Sequence, residues 1–334
     1  MSAPDRTVFL TGGTGFVGSW VAQELLARGM RVRALVRSDP KWLSGMPVRI
    51  VRGDLHDAEA LEAGARDAAY VVHVAGLTRA RTQAELDRAN VRGTLNLLDA
   101  VDRVAPDVRR VLITSSLEAH GPNRVLPAGT PVPAEETDRL QPISMYGRSK
   151  QRMEEAVAQA YPDLPVTVVR PSAVYGPRET DLLELVRTAS RGLFPVVGAR
   201  DVPRLSLVHV RDLARGMVDL LLAERAAGET YLLSQTAGST WDEVRAALEA
   251  ALGRSTLPLP LPPAGVKLAG ALAQGWGRVS GSLPPLTRDK AAAAPHAWTC
   301  DVSKARKHAG YSPEVGLGDG WAETVTWYRE KGWI

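Results

Sequence analysis

Eight residues near the N-terminus, Thr11-Gly12-Gly13-Thr14-Gly15-Phe16-Val17-Gly18, restrict this chain more than any other stretch. The apolar residues Val8, Phe9 and Leu10 lead into them, and a helical pattern leaves them, running from Phe16 to about Arg28 before Gly29 as a C-terminal cap. The glycines satisfy two spacings at once, Gly-x-x-Gly-x-x-Gly from Gly12 and Gly-x-Gly-x-x-Gly from Gly13. Glycine permits a tight turn, a close approach of backbone to a ligand, and a helix packed hard against a sheet. The helix start that follows offers free amide donors and the positive end of its dipole, a setting that suits a diphosphate. A strand before and a helix after are the context that a dinucleotide-binding turn requires, against the alternative of a glycine-rich turn without a ligand. The residues expected to hold the dinucleotide are Gly12, Thr14, Gly15, Phe16, Val17 and Gly18.

Beyond the turn, short apolar runs alternate with helical patterns, which predicts an α/β fold of the Rossmann type: a doubly wound parallel sheet covered on both faces. Further strands are expected at 32–36, 48–51, 70–74, 111–114 and 166–169, and helical periodicity spans 85–101. Ser144 is positioned to cap a helix running to about residue 160. A strand–helix unit at 205–223 and a strand at 230–233 read as continuations of the same sheet. From Pro171 the pattern loosens into helices at 182–189, 240–252 and 264–274, the last ending before Trp276 and all separated by Pro- and Gly-rich connections. Most of the eight tryptophans lie beyond residue 240, so the expected second unit is a smaller, mostly helical C-terminal substrate lobe. The division is then 1–170 with 203–234 for the nucleotide domain, and 171–202 with 235–334 for the lobe.

Composition narrows the function classes. A chain of 334 residues can bury a substantial core, and its 45% hydrophobic and 23% charged content is that of an ordinary soluble globular protein. The net charge of +4 comes from scattered basic residues with no basic stripe or aromatic platform, so a nucleic-acid partner is not expected. The single cysteine, Cys300, excludes an internal disulfide and fits a reducing cytoplasm. The six histidines show no metal-ligand spacing, and no metal is expected. The most membrane-like stretch, 257–286, is interrupted by Pro258, Pro260, Pro262, Pro263, Pro284 and Pro285 and carries Lys267 and Arg278; no membrane partner is expected.

The second strand, Val32-Arg33-Ala34-Leu35-Val36-Arg37-Ser38, bears on which dinucleotide is bound. A site for NAD places an acid at its end to accept the ribose hydroxyls; here Val36 stands there, followed by Arg37. A guanidinium at that point can pair with a 2′-phosphate, so NADP is expected over NAD, with Arg37 as reader and Arg33 or Ser38 assisting. A solvated surface arginine is the alternative. Asp54, in Gly53-Asp54-Leu55, is placed to meet the adenine edge.

Tyr146 and Lys150, in Ser144-Met145-Tyr146-Gly147-Arg148-Ser149-Lys150, stand four apart and share one helix face. A free tyrosine titrates near ~10, and an ammonium close by lowers that value toward the working range. With these residues in place the chain resembles the extended short-chain dehydrogenase/reductase superfamily, the NAD-dependent epimerase/dehydratase family, over nearly its whole length. The motifs follow in order: the glycine turn, Asp54-Leu55, His73-Val74-Ala75-Gly76, Asn90-Val91-Arg92-Gly93-Thr94, Thr114-Ser115-Ser116, the tyrosine–lysine pair, Arg170-Pro171, Val174-Tyr175-Gly176-Pro177, and His209-Val210-Arg211-Asp212.

The resemblance implies that Tyr146 is the general acid or base on the substrate's oxygen, and that Lys150 lowers its pKa and holds the nicotinamide ribose. Ser116, with Ser115 the poorer match, would hydrogen-bond the same oxygen. Asn90 would order a water near the lysine or act as a helix-kinking structural amide. Cofactor contacts are implied at Asp54, Leu55, Val74, Ala75, Gly76, Tyr146 and Lys150, and Pro171 to Val174 would pass along the nicotinamide. His73 and His209 read as structural. His120 stands where many sugar-nucleotide members carry tyrosine. The arginine-bearing second strand looks more like dihydroflavonol-reductase and 3β-hydroxysteroid-dehydrogenase relatives. The expected function is therefore an NADP-preferring oxidoreductase acting on a small, fairly apolar carbonyl or alcohol. The alternatives are a nucleotide-sugar epimerase or dehydratase with a retained cofactor, and a non-catalytic NAD(P)-sensing or assembly protein. The resemblance also suggests a homodimer through the helices flanking the tyrosine.

Overall fold

Alternating side chains of the first strand serve two cores at once. In β1 (Thr7–Thr11) Val8 and Leu10 join a cluster on one face, while Phe9 joins a separate cluster on the other. The computed structural model describes residues 6–127, 129–198, 200, 202, 204–235, 238–280 and 288–334, with the side chains of 274–280 and 288 outside the description. After β1 come α1 (Phe16–Ala27), β2 (Arg31–Val36), β3 (Arg49–Arg52), α2 (Ala58–Ala65) and β4 (Tyr70–His73). Then follow α3 (Gln83–Asp87), a π-turn (Arg88–Arg92), α4 (Gly93–Val104), β5 (Arg110–Thr114), α5 (Leu117–His120), α6 (Met145–Ala160) and β6 (Val166–Pro171). The remaining elements are β7 (Ala173–Tyr175), α7 (Leu183–Ser190), β8 (Leu193–Val197), β9 (Leu207–His209), α8 (Val210–Leu222) and β10 (Thr230–Leu233). The chain ends with α9 (Trp241–Leu252), β11 (Leu257–Leu261), α10 (Pro263–Ser280), α11 (Arg288–Ala293), α12 (Ser303–Ala309) and α13 (Leu317–Glu330).

Seven strands form one sheet in the order β10-β6-β5-β4-β1-β2-β3, and every pairing is parallel. Parallel neighbours need crossovers, and helices supply them on both faces. Val21, Leu25, Leu213 and Met217 of α1 and α8 cover one face; Leu61, Leu97, Val101, Met153 and Val157 of α2, α4 and α6 cover the other. The strand order reverses between β1 and β4, so a crevice opens at their carboxyl ends, where such sheets bind ligands.

Three expectations change. The strand at 207–209 does not extend the main sheet: β10 already occupies the edge of β6, and β9 pairs instead with β7, where the chain leaves the sheet after Pro171. The lobe also holds a second parallel pair, β8 with β11, and α10 continues through Trp276 to Ser280. The periodicity across 85–101 is not one helix. A π-turn at Arg88–Arg92 separates α3 from α4, and the extra residue turns Asn90 inward. Within the membrane-like stretch, residues 281–287 lie outside the described residues; among those described, no helix is long and apolar enough to cross a membrane.

At Gly18 a β-carbon would lie 2.2 Å from the carbonyl oxygen of Gly12, a backbone atom with no room to retreat. Gly18→Ala should therefore lower stability by about 1–3 kcal/mol in urea unfolding. Gly318→Ala, on an open face of α13 where the added carbon meets nothing, should change it by less than about 0.5 kcal/mol. Equal unfolding curves for the two variants would contradict this account of the turn.

Candidate active site

The glycine turn closes on itself through backbone alone. Gly12 adopts φ +77°, and its carbonyl accepts the Gly15 amide at 3.0 Å. A β-carbon on Gly12 would sit 2.4 Å from the backbone nitrogen of Ala75, so the turn touches the loop after β4 and leaves space for no side chain. α1 begins without a side-chain cap, so its first amides, among them Phe16, Val17 and Gly18, face the crevice unclaimed by a capping group. Thr14, Gly15, Phe16, Val17, Val74, Ala75 and Gly76 are all at least partly accessible around it. This cradle fits a diphosphate.

At the adenosine end, Arg37 lies exposed just past β2. Arg33 reaches back to the Ala63 carbonyl of α2 at 3.4 Å, so its guanidinium is directed at the helix. Arg52, opposite Val36 in the parallel register, donates to the Ser38 carbonyl and places a second guanidinium at this edge. Arg52 carries no signal in the sequence, because only strand pairing brings it to β2. Asp54 accepts the His56 amide at 2.7 Å, tightening the turn after β3, while Leu55 packs against Gly93 of α4.

Ser144 caps α6 by accepting the Gly147 amide at 2.9 Å, which puts Tyr146 in the first turn and Lys150 one turn deeper. Lys150 is buried, donates to the Thr114 carbonyl at 2.7 Å, and lies 5.9 Å from the Tyr146 ring centre. Burial pushes its ammonium down to about 8, partly opposed by the carboxylate of Glu154. A β-carbon on Gly76 would come 3.5 Å from the Lys150 Nζ, so the loop after β4 reaches the lysine too.

Ser116 hydrogen-bonds Tyr146, whereas the hydroxyl of Ser115 is bonded to Glu154. Glu154 in turn grips Arg170 of β6 at 3.0 and 2.6 Å in a buried ion pair directly behind the lysine. The phenol does not show the lowered pKa expected from a neighbouring ammonium. Burial raises it, the carboxylate of Glu118 raises it further, and only the Ser116 bond pulls the other way. Tyr146 is therefore held protonated.

Glu118 itself was not among the sequence candidates. It follows Ser116 by two residues, and only folding shows its carbonyl wedged against Gly147 and its Oε2 receiving the Ser144 hydroxyl at 2.5 Å. Asn90 uses its amide to bind both the N–H and the C=O of Leu77, at 2.8 and 2.9 Å, and donates to Ser149 at 2.8 Å. These bonds join the π-turn, the β4 loop and α6. His73 bridges Thr11 and Thr94, and burial lowers its pKa to about 3. His209 is buried beside Tyr175, and His120 bonds Asp138 at 3.0 Å. Pro171 is buried at the end of β6, with Val174 partly accessible beyond it. Among the described residues no cluster of metal ligands occurs.

A pocket of about 380 Å³ opens over Tyr146. Leu86, Leu185, Pro195, Val197, Trp241 and Trp298 supply apolar walls, and Glu118, Ser144 and Asp289 stand near the tyrosine. The two cations in its lining, Arg79 and Lys290, both lean on Asp181, at 3.0 and 3.5 Å.

A dinucleotide cradle at the switch point of a parallel sheet, joined by Tyr146 and Lys150 on one helix, defines an NAD(P)-dependent oxidoreductase of the extended short-chain dehydrogenase/reductase type. Residues 8–234 match the NAD dependent epimerase/dehydratase family, and the chain belongs to it. It is 31% identical to a ceramide reductase of Caulobacter vibrioides over 98% of this chain and 96% of the relative. It is 26% identical to a UDP-glucose 4-epimerase of Vibrio cholerae over 96% and 94%. The crystal structure of gox2253 superposes with a TM-score of 0.80 at 28% identity, covering 99% of each chain.

The buried pair behind the lysine can be tested directly. Glu154→Ala leaves the Arg170 guanidinium buried without its carboxylate and should lower stability by about 3–5 kcal/mol in urea unfolding. A loss below about 1 kcal/mol would show that the pair is not held in isolation from water.

Proposed function

We propose that the chain is an NADP(H)-dependent reductase that interconverts a carbonyl and an alcohol on a small, fairly apolar substrate, with Tyr146 as its acid–base residue. The observation that carries this reading is a protonated tyrosine, bonded to Ser116 and backed by Lys150, at the base of a largely apolar pocket. The dinucleotide, when bound, supplies or takes up the hydride. Tyr146 and Ser116 hold the substrate's oxygen, and as charge develops there the phenol hands over the proton that burial and Glu118 keep on it. Lys150 stabilises the phenolate left behind and is placed to hold the ribose. Asn90 keeps the Leu77 loop and Ser149 in position beside them.

The family also contains epimerases, and the similarity to UDP-glucose 4-epimerase keeps that reading as the alternative. Against it, a sugar nucleotide brings a diphosphate, while Arg79 and Lys290 in the pocket lining are both engaged by Asp181. An epimerase retains its cofactor through turnover; nicotinamide absorbance copurifying with the protein would favour the alternative.

Two experiments test the proposal. On a panel of ketones and aldehydes, Tyr146→Phe should lower NADPH-dependent turnover by about 100-fold or more; unchanged turnover would remove the acid–base role. In the same assay kcat/KM for NADPH should fall as pH rises through about 8, because Lys150 is an ammonium below that value and neutral above it. Lys150→Arg should carry this limb to higher pH. Second, Arg37 is assigned to the 2′-phosphate, with Arg52 beside it. Arg37→Ala should weaken NADPH binding by about 10- to 100-fold in fluorescence titration and leave NADH binding nearly unchanged. An unaltered preference would make Arg37 a surface residue only.

A further inference from the structure

Glu118 is unusual in its place. It lies in the first turn of α5, and its side chain lines the pocket beside Tyr146. Its backbone is pinned at both ends: the amide donates to Ser116 Oγ at 3.1 Å, and the carbonyl meets the glycine face of Gly147. The carboxylate is oriented too, because the Ser144 hydroxyl that donates to Oε2 is itself fixed by the Gly147 amide at 2.9 Å. A carboxylate offers acceptor sites on both oxygens, so one such bond leaves it able to accept another from the pocket.

Burial raises the pKa of Glu118, and the Ser144 bond and the Lys290 ammonium pull the other way, toward the carboxylate. Asp289 receives the Met145 amide at 2.7 Å, and Arg79 and Lys290 share Asp181. Glu118 and Asp289 are the two acids in the lining beside Tyr146, while the far walls are apolar. In its carboxylate form Glu118 opposes charge gained by the substrate's oxygen during reduction, unless the substrate itself supplies a donor to it.

Resting on the reductase reading above, we propose that Glu118 is a specificity residue that accepts a hydrogen bond from a donor adjacent to the reacting carbonyl. The substrate class is then an apolar-bodied ketone carrying a hydroxyl, amide N–H or ammonium group next to that carbonyl, and no anionic group there. A hydrogen bond to a charged acceptor is worth about 1.5–3 kcal/mol, which corresponds to roughly 10- to 150-fold in kcat/KM.

The test uses three matched medium-chain compounds with the full chain and NADPH: a methyl ketone, its α-hydroxy ketone and the corresponding α-keto acid. The wild type should reduce the hydroxy ketone at least about tenfold more efficiently than the plain ketone, and the keto acid least well. Glu118→Ala should bring the first two rates together, and Glu118→Gln, which keeps the shape and loses the charge, should improve the keto acid. Equal wild-type rates on ketone and hydroxy ketone, both abolished by Tyr146→Phe, would overturn the role of Glu118 and leave the reductase reading standing. A preference that survives in Glu118→Ala would do the same. Absence of any Tyr146-dependent NADPH oxidation across the series would overturn both.

Discussion

The contact on which the rest of this molecule depends is between backbones: Gly12 against the loop after β4 on one side and against Gly18 of α1 on the other. Both approaches are closer than any side chain allows, so they exist only because three chain segments meet without β-carbons between them. That meeting holds α1 with its N-terminus over the gap between β1 and β4, where the strand order reverses. It brings Ala75 and Gly76 to the same gap, and Gly76 carries the contact on to Lys150 and Asn90. The glycine turn and the tyrosine helix are therefore joined by close contacts, backbone to backbone as far as Gly76 and then through the Lys150 and Asn90 side chains.

Around this path the charges are layered. Behind Lys150 lies the buried pair of Glu154 and Arg170, with Ser115 as a further donor to the carboxylate. Burial alone would drive the ammonium toward neutrality, and Glu154 opposes that, so the pair supports the charge while sitting too deep to reach a ligand. In front, Glu118 acts on Tyr146 in the opposite sense, holding the proton on the phenol. A tyrosine kept protonated with an ammonium at its back is prepared to give a proton and then to be stabilised once it has done so. Under the reductase reading proposed above, that is the order in which a carbonyl reduction would use the pair.

How much of this was legible depended on the range of the interaction. The glycine turn, the tyrosine–lysine spacing and the capping Ser144 are local patterns, and the structure places them where their spacing requires. The π-turn was not visible, because apolar periodicity across 85–101 continues smoothly through the one extra residue that positions Asn90. β9 was assigned to the main sheet because it reads like any other short apolar strand; only competition with β10 for the edge of β6 excludes it. Arg52 and Glu118 belong to the same class. Each is an ordinary surface-type residue in sequence, made significant by a neighbour supplied from another strand or helix. The choice of Ser116 over Ser115 was carried by resemblance alone; in the structure the Ser115 hydroxyl bonds Glu154.

The C-terminal lobe is tied to this arrangement by aromatic contacts. Arg178, held at φ +80° after Pro177, places its guanidinium 4.8 Å from the Trp20 ring and 5.2 Å from the Trp42 ring, and donates to Ser19 at 2.8 Å. Trp42 meets Trp327 of α13 at 5.7 Å, and Trp327 meets Trp333 at 4.9 Å. A ladder of rings and one cation thus runs from α1 to the last helix, so the tryptophans concentrated late in the chain join its end to the helix that opens the cradle. The cation–π contacts are partly shielded from solvent, where each contributes more than it would on the surface. α7 and β8 pack into the same lobe core as Trp321 and Tyr328 of α13, the helix that also carries Trp327 of the ladder. Leu185, which lines the pocket, packs against this core, whereas Val197 on the same pocket packs with Val266 and Ala291 in a smaller cluster of its own.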